Sequence, residues 1–551
     1  MKRFIVFASL SILLFGQMDL PHRFALKTAI QDTTLYSGLK SNVIAEIKFQ
    51  GDSLVWLGTG RGLALFDGQS MYAYNTEMGT LENGSETYGI PAGGISAISV
   101  QGDSLLAAIA TDDGTIQMGG GLVFSTNSQD TNGVLWEYLS QPVDNPEDSL
   151  VPFGKGYFKQ LPVTVPQANV TYDASLHTHK GNQYAWITSW AGGLRRYDFA
   201  NNIWENVPLP MDNQIYLSTC ASDSFELADD GKSILKNYYL NPRDPLDGGN
   251  HNHKAFSVLA YGDTIWVGTA NGINRGIIID ETVNNESFNC INWDHYSYPR
   301  DGLSGNFVVS IAKQSWKGNL TIWAATMNAE DPGEKRGLSY TRDGGDTWNV
   351  ALLDERVYNV MAVDSLIFAS TSNGLWKSLD GENWAKFSPA IEKTYLAMEQ
   401  ILSNTVYTSA MDKRDSTVLW IGTPDGVAYT SDIHGQSWNI YQAEYDSTEI
   451  YAYPNPFSPY NHNQLDNDGF VRFHLGNIAN NIVIVDVYNF AMEKVYSYTH
   501  DRQSDFGAIK WNGKDAAGNL VANGVYFINL NFSSSQNAST EDHWTKLVLG
   551  K

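Results

Sequence analysis

Short runs of alternating apolar and polar residues, separated by turns rich in glycine and aspartate, follow one another along most of the chain. Residues 42–47 (NVIAEI) form one such run, and a Gly-Asp-Ser turn at 51–53 separates it from residues 54–59 (LVWLGT). Alternation with a period of two is typical of half-buried β-strands, and Gly, Asp and Asn favour tight turns. The pattern therefore predicts an all-β protein built from consecutive hairpins.

One phrase recurs within this pattern. It reads VWLGTGRGL at 55–63, IWVGTANGI at 265–273 and LWIGTPDGV at 419–427, with looser copies at 106–122, 185–194, 322–338 and 367–375. Each copy predicts strand, turn and strand, and about 40 residues per copy leave room for four strands. Seven such units at 31–445 predict a seven-bladed β-propeller, because closure of the ring removes exposed strand edges. Four tryptophans hold equivalent positions and are expected to pack between blades: Trp56, Trp266, Trp323 and Trp420.

Three stretches between the copies, 139–168, 205–250 and 275–301, exceed what four strands need. We expect them to be loops. Insertions in a propeller often gather on one face and carry binding.

The pattern changes near residue 446. Residues 451–459 (YAYPNPFSP) contain three prolines, and proline cannot donate a hydrogen bond to a sheet, so we interpret 446–458 as a linker. Alternating or β-branched runs follow at 470–475, 482–488, 524–530 and 544–549. They predict a small Ig-like β-sandwich at 459–551.

The net charge disfavours nucleic-acid-binding proteins, and the first residues of the chain favour an exported protein. A formal net charge of −24 repels phosphate backbones, which disfavours a nucleic-acid partner. Lys2 and Arg3 precede an apolar run at 4–15, the length of a signal-peptide core rather than of a membrane span. We expect residues 1–16 to be a cleaved signal peptide, with an uncleaved anchor as the alternative. No later segment is apolar enough to span a membrane, and the mature chain is expected to be a monomer.

The only two cysteines, Cys220 and Cys290, lie in neighbouring repeats. Export would permit a disulfide bond between them. The sequence does not bring the sulfur atoms together, so two buried, unpaired thiols are the favoured interpretation and a disulfide is the alternative.

The propeller repeats resemble two known motifs. Residues 38–43 (GLKSNV) with the phrase at 55–63, and 302–307 (GLSGNF), resemble the two-component regulator propeller, which forms extracellular sensory domains of hybrid sensor kinases. No kinase segment follows, so the signalling role is not expected here. Residues 341–348 (TRDGGDTW), 378–384 (SLDGENW) and 431–438 (SDIHGQSW) resemble the Asp-box of sialidases. The resemblance implies structural turn residues away from an active site: Asp343 with Trp348, Asp380 with Trp384, and Asp432 with Trp438.

The C-terminal region resembles the sorting domain of the type IX secretion system and the related Ig-like domain of flagellar hook-capping proteins. The resemblance rests on YPNPF at 453–457, VDVYN at 485–489, WNGKDAAGNL at 511–520 and ANGVYF at 522–527. It implies export by the outer-membrane secretion machinery of a Gram-negative bacterium, followed by release or anchoring at the cell surface.

Residues that differ between copies of the repeat are candidates for ligand binding. Amides donate and accept hydrogen bonds, tryptophan stacks on sugar rings and arginine clamps carboxylates. The candidates for the channel face are Asn42, Asn169, Asn252, Asn306, Asn359, Trp190, Arg195 and Arg196. Blade packing or solvent exposure is the alternative for the tryptophan and the two arginines.

Two histidine pairs and one acidic turn are candidates for metal binding. Residues i and i+2 share a face of a strand, so His177 with His179 and His251 with His253 could place four imidazoles of adjacent blades around one transition metal. Loop histidines facing solvent are the alternative. Asp466 and Asp468 begin an oxygen-rich segment that could bind Ca²⁺, although a plain turn is favoured.

The sequence favours a secreted or surface-displayed protein that binds a glycan or another protein at the channel mouth or at the insertions. A polysaccharide hydrolase or lyase and a purely structural adhesion module are the alternatives. The fold alone does not decide among them.

Overall fold

The computed structural model describes residues 38–551 except 75–78, 81–85, 88–89, 113–115, 131–133, 284–285, 388–399, 413–416, 436–437, 444–449, 476–481, 503, 506 and 534–540. The predicted fold class is confirmed: a seven-bladed β-propeller is followed by a small β-sandwich. The expected signal peptide lies outside the described residues. Within the described part, no helix is long and apolar enough to cross a membrane.

Each blade is an antiparallel sheet of four strands that run in order from the central channel to the rim. Blade 1 comprises Ile44–Gln50, Leu54–Thr59, Gly62–Phe66 and Met71–Ala73; blade 2 comprises Gly94–Gln101, Ser104–Asp112, Gln117–Ser125 and Glu137–Leu139; blade 3 comprises Thr171–His179, Asn182–Ser189, Gly193–Asp198 and Ile203–Val207. Blade 4 comprises Ala255–Tyr261, Thr264–Thr269, Gly272–Val283 and Glu286–Tyr296; blade 5 comprises Phe307–Trp316, Asn319–Met327, Gly337–Thr341 and Asn349–Ala351. Blade 6 comprises Val357–Val363, Leu366–Thr371, Gly374–Ser378 and Trp384–Lys386; blade 7 comprises Thr408–Met411, Leu419–Thr423, Gly426–Thr430 and Asn439–Tyr441. A short hairpin, Gly79–Thr80 with Glu86–Thr87, joins blades 1 and 2.

The recurrent phrase forms the second strand, the turn and the third strand of a blade. In blade 1 the Thr59 hydroxyl donates to the Gly62 carbonyl at 2.8 Å and accepts from the Arg61 N–H at 3.1 Å, which fixes the turn. Gly62 has a φ of 99°, a conformation that favours glycine. The same hydroxyl contact recurs at Thr269, Thr371 and Thr423. The Thr-x-x-Gly spacing therefore recurs because this hydrogen bond and the positive φ of the glycine form the turn between the second and third strands.

The tryptophans of the phrase are buried between neighbouring blades. Trp56 contacts Trp136, which precedes the outer strand of blade 2, edge to face at 6.1 Å, and Trp266 of blade 4 contacts Trp348 of blade 5 in the same way. Trp420 of blade 7 packs on Phe66 of blade 1. These contacts close the ring, together with hydrogen bonds from the Gly426 and Ala443 N–H groups to Asn42.

The three long insertions form strands, so their prediction as loops is wrong. Leu150–Phe153, Gly156–Gln160, Ser233–Leu240 and Phe225–Leu227 make a separate four-stranded sheet, which we call the insertion sheet. Tyr216–Ser218 adds a fifth strand to blade 4, and the outer hairpin of blade 4 extends beyond the blade. Four 3₁₀ turns complete this region: Pro166–Ala168, Ser222–Ser224, Pro245–Asp247 and His251–His253.

Cys220 and Cys290 form a disulfide bond, so the interpretation as unpaired thiols is wrong. Leu217, three residues before Cys220, pairs with Trp293 of the blade 4 hairpin. The strand pairing brings the two cysteines together, and this register was not readable from their separation of 70 residues.

The C-terminal sandwich consists of two sheets. Tyr451–Tyr453, Val471–His474 and Lys510–Trp511 form one; Lys494–Asp501, Ile482–Tyr488, Gly524–Ser533 and Glu541–Leu549 form the other, and Gln464–Leu465 pairs with Asp468–Gly469 in a hairpin. Alternate residues of Ile482–Tyr488 point into a core that contains Trp511 and Phe473. The predicted linker needs a correction: Tyr451–Tyr453 is a strand of the sandwich, and Phe457 pairs in parallel with Leu549.

The sandwich packs against blade 7. The Arg472 guanidinium forms a buried ion pair with Asp425 and also donates to the Gln400 carbonyl at 3.0 Å. Leu402 of the propeller packs with Leu465 and Ala508 of the sandwich. The boundary therefore combines an apolar contact with a buried, paired charge.

Candidate functional site

A large cavity lined by many polar side chains lies at the side of the propeller, and we call it the lateral groove. It is bounded by the outer strands of blade 3, by the insertion sheet and by the extended hairpin of blade 4. Its volume is about 840 Å³, within the usual range for ligand sites. Two of the sequence insertions, 139–168 and 275–301, contribute to its walls, and from 205–250 only Glu205 and Asn206 of the outer strand of blade 3 do so.

A continuous hydrogen-bond network forms the floor of the lateral groove. Arg196 donates from Nε to the Glu205 carboxylate at 2.6 Å and from a terminal nitrogen to Asn289 Oδ1 at 3.1 Å. Its guanidinium lies over the rings of Tyr184 at 4.6 Å and Trp186 at 5.3 Å. Arg196 is therefore locked between two elements and orders the polar groups around it.

The network continues to the rim through the blade 4 hairpin. Asn289 donates to Asp280, which also pairs with Lys180 and with His179 Nε2 at 3.1 Å. Burial raises the pKa of Asp280, but Lys180 and His179 outweigh it, so the net pKa lies below its ordinary value. Asp280 is therefore an ionised carboxylate at neutral pH.

The opposite wall is tied to the 139–168 insertion. Arg195 pairs with Asp144 at 2.8 Å, and Asn206 donates to the same carboxylate oxygen at 3.0 Å. The Asp144 carboxylate also accepts the Val163 N–H at 2.7 Å. These contacts fix the insertion against blade 3.

Apolar surface completes the lateral groove. Phe288 and Trp204 line it and are half-buried, while Ile203 is exposed. A rigid array of amides and carboxylates beside aromatic faces can hydrogen-bond the hydroxyl groups of a ligand and stack on its apolar face.

The central channel contains a second cluster of charged groups. Lys48 Nζ lies 2.7 Å from Glu46, and Asp173 of blade 3 faces the same cavity. Burial raises the pKa of Asp173 to about 7, Lys48 opposes the shift and Glu46 adds to it. For Lys48, burial lowers the pKa, but the two carboxylates outweigh it and the net pKa is raised.

Four of the five asparagines predicted at the channel face are instead buried or engaged where the chain enters a blade. Asn42 accepts from the Ala443 N–H, Asn169 donates to the Pro142 carbonyl, Asn252 donates to the Pro210 carbonyl and Asn306 donates to Glu334. Backbone groups of the segments that lead into a blade have no partners in a strand. The asparagine amides form hydrogen bonds with these segments instead. Asn359 lines the channel.

The prediction of a channel-face position is also wrong for Trp190, Arg195 and Arg196. Both arginines lie on the third strand of blade 3, away from the channel, and point into the wall and floor of the lateral groove. Trp190 packs against Phe256 and under the Lys254 ammonium. The alignment of the repeats shows on which strand of a blade a residue lies. That position distinguishes channel residues, on innermost strands, from Arg195 and Arg196, on the third strand.

The four histidines do not form one metal site. His177 and His179 lie at the end of the innermost strand of blade 3, whereas His251 and His253 precede the innermost strand of blade 4, at the opposite face. His253 contacts the Ala191 carbonyl and His251 contacts Glu330. Among the described residues, the single cluster of three or more ligand-type side chains is Cys220, Glu281 and Cys290, and its two sulfur atoms are joined in the disulfide.

The acidic segment proposed for Ca²⁺ is a hairpin turn. Asp466 and Asn467 have φ values of 52° and 70°, as in a tight turn between two paired strands. Asp468 pairs with Lys514 and accepts from Asn512, and the Lys514 hydrogen bond is the main cause of its lowered pKa. The carboxylates of Asp466 and Asp468 are not gathered around a common point.

The aspartates that resemble an Asp-box accept hydrogen bonds within their own turns. Asp343 accepts the Thr347 hydroxyl at 2.6 Å and the Thr347 N–H at 2.9 Å, and these bonds lower its pKa to about 2. Asp380 accepts from Asn383, and Asp432 accepts from His434. The Trp348 and Trp384 rings pack on the preceding blade, and the Trp438 ring N–H donates within its own turn.

The sequence singled out Arg195, Arg196 and His179 of the lateral groove and Asn359 of the channel, but not the other residues that organise the two cavities. Glu46, Lys48 and Asp173 sit on ordinary-looking strands, and Glu205, Asp280 and Asn289 come from different strands. Glu46, Lys48 and Asp173 are charged residues on innermost strands, and this placement is the one feature of the sequence that points to them.

Comparisons with known proteins find only distant structural similarity. No family model matches the chain, and no curated protein matches it. One similar solved structure is PorZ, an essential bacterial surface component of the type-IX secretion system of Porphyromonas gingivalis, at 13% identity over 94% of this chain and 76% of that chain, with a TM-score of 0.32. Another is a GH74 enzyme from Niastella koreensis, at 12% identity over 92% and 67%, with a TM-score of 0.42. A third is the extracellular domain of a hybrid two-component system from B. thetaiotaomicron, at 12% identity over 94% and 99%, with a TM-score of 0.20. Similarity at this level carries no argument about function, which must come from this chain's own residues.

Proposed function

We propose that the protein is a carbohydrate-binding protein of the cell exterior and that the lateral groove holds the glycan. The observation that carries the proposal is the Glu205–Arg196–Asn289–Asp280 network, a fixed row of polar groups beside the aromatic rings of Trp204 and Phe288. A hydroxyl-rich ligand with one apolar ring face matches such a surface.

Binding without cleavage is favoured by the state of the groove carboxylates. Glycoside hydrolysis needs one carboxyl group that stays protonated to act as an acid beside a second that is ionised. Glu205 is paired with Arg196, and Asp280 is paired with Lys180 and has a lowered pKa. Paired carboxylates of this kind accept hydrogen bonds from sugar hydroxyls and do not supply the proton.

Hydrolysis in the channel is a second candidate. It is favoured by Asp173, whose pKa of about 7 suits a general acid, with Glu46 in the same cavity. Against it, both Asp173 oxygens accept backbone N–H groups, of Ala174 at 2.8 Å and Val258 at 2.9 Å.

A glycan array combined with a reducing-sugar release assay on the whole mature chain tests both candidates. We expect retention of specific glycans without sugar release. Phe288→Ala should weaken binding about tenfold, because loss of an aromatic contact of about 1.4 kcal/mol corresponds to that factor. Phe490→Ala, which removes a ring that is 77% exposed on the sandwich, is the matched control and should bind as the wild type does. Sugar release, or equal binding by Phe288→Ala and wild type, would contradict the proposal.

We further propose that the chain acts outside the cell and that the sandwich directs it there through a type IX-like pathway. The disulfide supports an oxidising compartment, and the basic-apolar start and the C-terminal motifs support export. In the native bacterium, deletion of 446–551 should leave the propeller in the periplasm with the Cys220–Cys290 bond formed. Surface display of the shortened chain would refute the sorting role, and the intact disulfide serves as the folding control.

A further inference from the structure

We propose that the central channel is a second ligand site, which binds a small organic cation: a primary ammonium or guanidinium group on an apolar body. The channel encloses about 660 Å³ and is lined by the innermost strands of all seven blades. Small-molecule sites typically enclose about 300–1,000 Å³. The channel is separate from the lateral groove, so this site does not rest on glycan binding.

Three hydrogen-bond acceptors lie at one level of the channel. In six blades the pairing of the innermost strand with the second strand shifts by one residue at the same place, a β-bulge that re-aims the side chains there. The first residue after the shift is Glu46 in blade 1, Asp173 in blade 3 and Asn359 in blade 6. All three line the cavity. The shared register therefore directs acceptors from different sides toward one volume.

These acceptors have more capacity than the chain fills. One ammonium, that of Lys48, faces the two carboxylates of Glu46 and Asp173. The Oδ1 atom of Asn359 is shut off from water and accepts no hydrogen bond within the described residues. A buried acceptor without a donor costs free energy, so turning this amide toward an N–H-rich ligand in the channel would recover that cost.

The remaining wall suits the apolar body of such a ligand. Tyr358 and Tyr407 meet edge to face with ring centroids 5.5 Å apart, and Met361 and Ile311 also line the channel. Burial raises the pKa of Tyr407 to about 12, so its hydroxyl stays neutral. The Arg356 guanidinium already lies over the Tyr358 ring at 5.5 Å, so Tyr407 is the ring of this pair that a bound cation would meet.

Binding of a cation should depend on pH through Asp173. The charged groups that face it are Glu46 and Lys48 of blade 1, while the flanking blades 2 and 4 present Ser99 and the Val258 N–H. Because burial raises its pKa to about 7, Asp173 is mostly protonated at pH 6 and mostly ionised at pH 8. A cation stabilises the ionised form, so affinity should rise with pH, about tenfold from pH 6 to 8.

Calorimetric titration of the whole mature chain with 2-phenylethylamine, and with neutral 2-phenylethanol as the matched probe, tests the proposal. We expect the amine to bind at least tenfold more tightly than the alcohol at pH 8. Asp173→Asn should weaken amine binding about tenfold, whereas Lys48→Met should strengthen it, because the internal ammonium no longer competes. Asp542→Asn, an exposed change on the sandwich, should leave binding unchanged.

Equal affinity for amine and alcohol would overturn the proposal, as would unchanged amine affinity in Lys48→Met. The lysine variant removes a partly exposed side chain, so it decides the question even where Asp173→Asn fails to fold. The effect of Phe288→Ala on glycan binding is measured separately. If that variant binds glycan as the wild type does, the glycan proposal fails, but the channel proposal is unaffected because Phe288 does not line the channel.

Discussion

Side chains on one innermost strand satisfy the backbone of the innermost strand in the next blade. Ser99 accepts the Leu176 N–H at 2.7 Å, Asp173 accepts the Val258 N–H and Ser175 accepts the Ala260 N–H at 3.2 Å. Innermost strands are sheet edges, so their inward N–H groups need partners from outside the blade. Polar side chains on these strands therefore accept hydrogen bonds that join neighbouring blades. A ligand in the channel can donate only to acceptor atoms that these contacts leave free.

His253 gives a pH-dependent prediction at the same scale. Its ring is buried with Nε2 2.7 Å from the Ala191 carbonyl, and burial lowers its pKa to about 3. The unfolded chain takes up this proton near pH 6.5, so the stabilising contribution is present above that pH and is lost as pH falls toward 3. Wild type should lose about 1.4 kcal/mol per pH unit relative to His253→Gln below pH 6.5. Urea unfolding at pH 7, 5.5 and 4.5 measures the difference, and a gap that does not change with pH would contradict the assignment.

At the scale of elements, the blades could be predicted because their signal is local. The Thr-x-x-Gly turn and the buried tryptophan lie within nine residues, and each copy repeats the same physical requirement. The insertion sheet could not be predicted in this way. Gly156–Gln160 pairs in parallel with Ser233–Leu240, and blade 3 lies between them in the sequence. Long-range pairing of this kind leaves no periodic trace in the sequence.

The candidate site was only partly predictable for the same reason. The insertions were expected to carry binding, which stays a prediction, and the 139–168 and 275–301 insertions contribute to the walls of the lateral groove. Arg196 and Asn289 meet there because two elements are folded against each other, not because of any spacing between them. The asparagines near the start of each blade looked like binding residues, yet they hold backbone groups that no strand satisfies.

The disulfide links the segment after Tyr216–Ser218 to the outer hairpin of blade 4, and its loss gives a prediction at the scale of elements. Cys220 and Cys290 close a loop of 70 residues, for which the loss of chain entropy corresponds to about 4 kcal/mol. Replacing both with alanine should lower the free energy of unfolding by about 2–4 kcal/mol and weaken glycan binding, because Asn289 and Phe288 adjoin Cys290. Urea unfolding with and without reductant measures the effect. Reductant should destabilise wild type and leave the double variant unchanged; equal stability of the two proteins without reductant would count against this role.

At the scale of the whole molecule, the proposed sorting domain and the proposed glycan site lie in different parts of the chain. The sandwich contacts blade 7 through Arg472 and Asp425, whereas the lateral groove lies on blades 3 and 4. The channel runs through the ring between these regions and carries its own polar cluster. A net charge of −24 favours solubility. In the lateral groove, Lys180 and Arg196 are paired with Asp280 and Glu205.

Hydrogen exchange of the whole mature chain, with and without the glycan selected on the array, tests the central claim most directly. Backbone amides of Leu150–Phe153, Ile203–Val207 and Glu286–Tyr296 should exchange more slowly when the glycan is bound, because these strands border the lateral groove. Amides of the sandwich strands Ile482–Tyr488 and Gly524–Ser533 should be unaffected. Protection confined to the innermost strands or to the sandwich, with none around the lateral groove, would contradict the account.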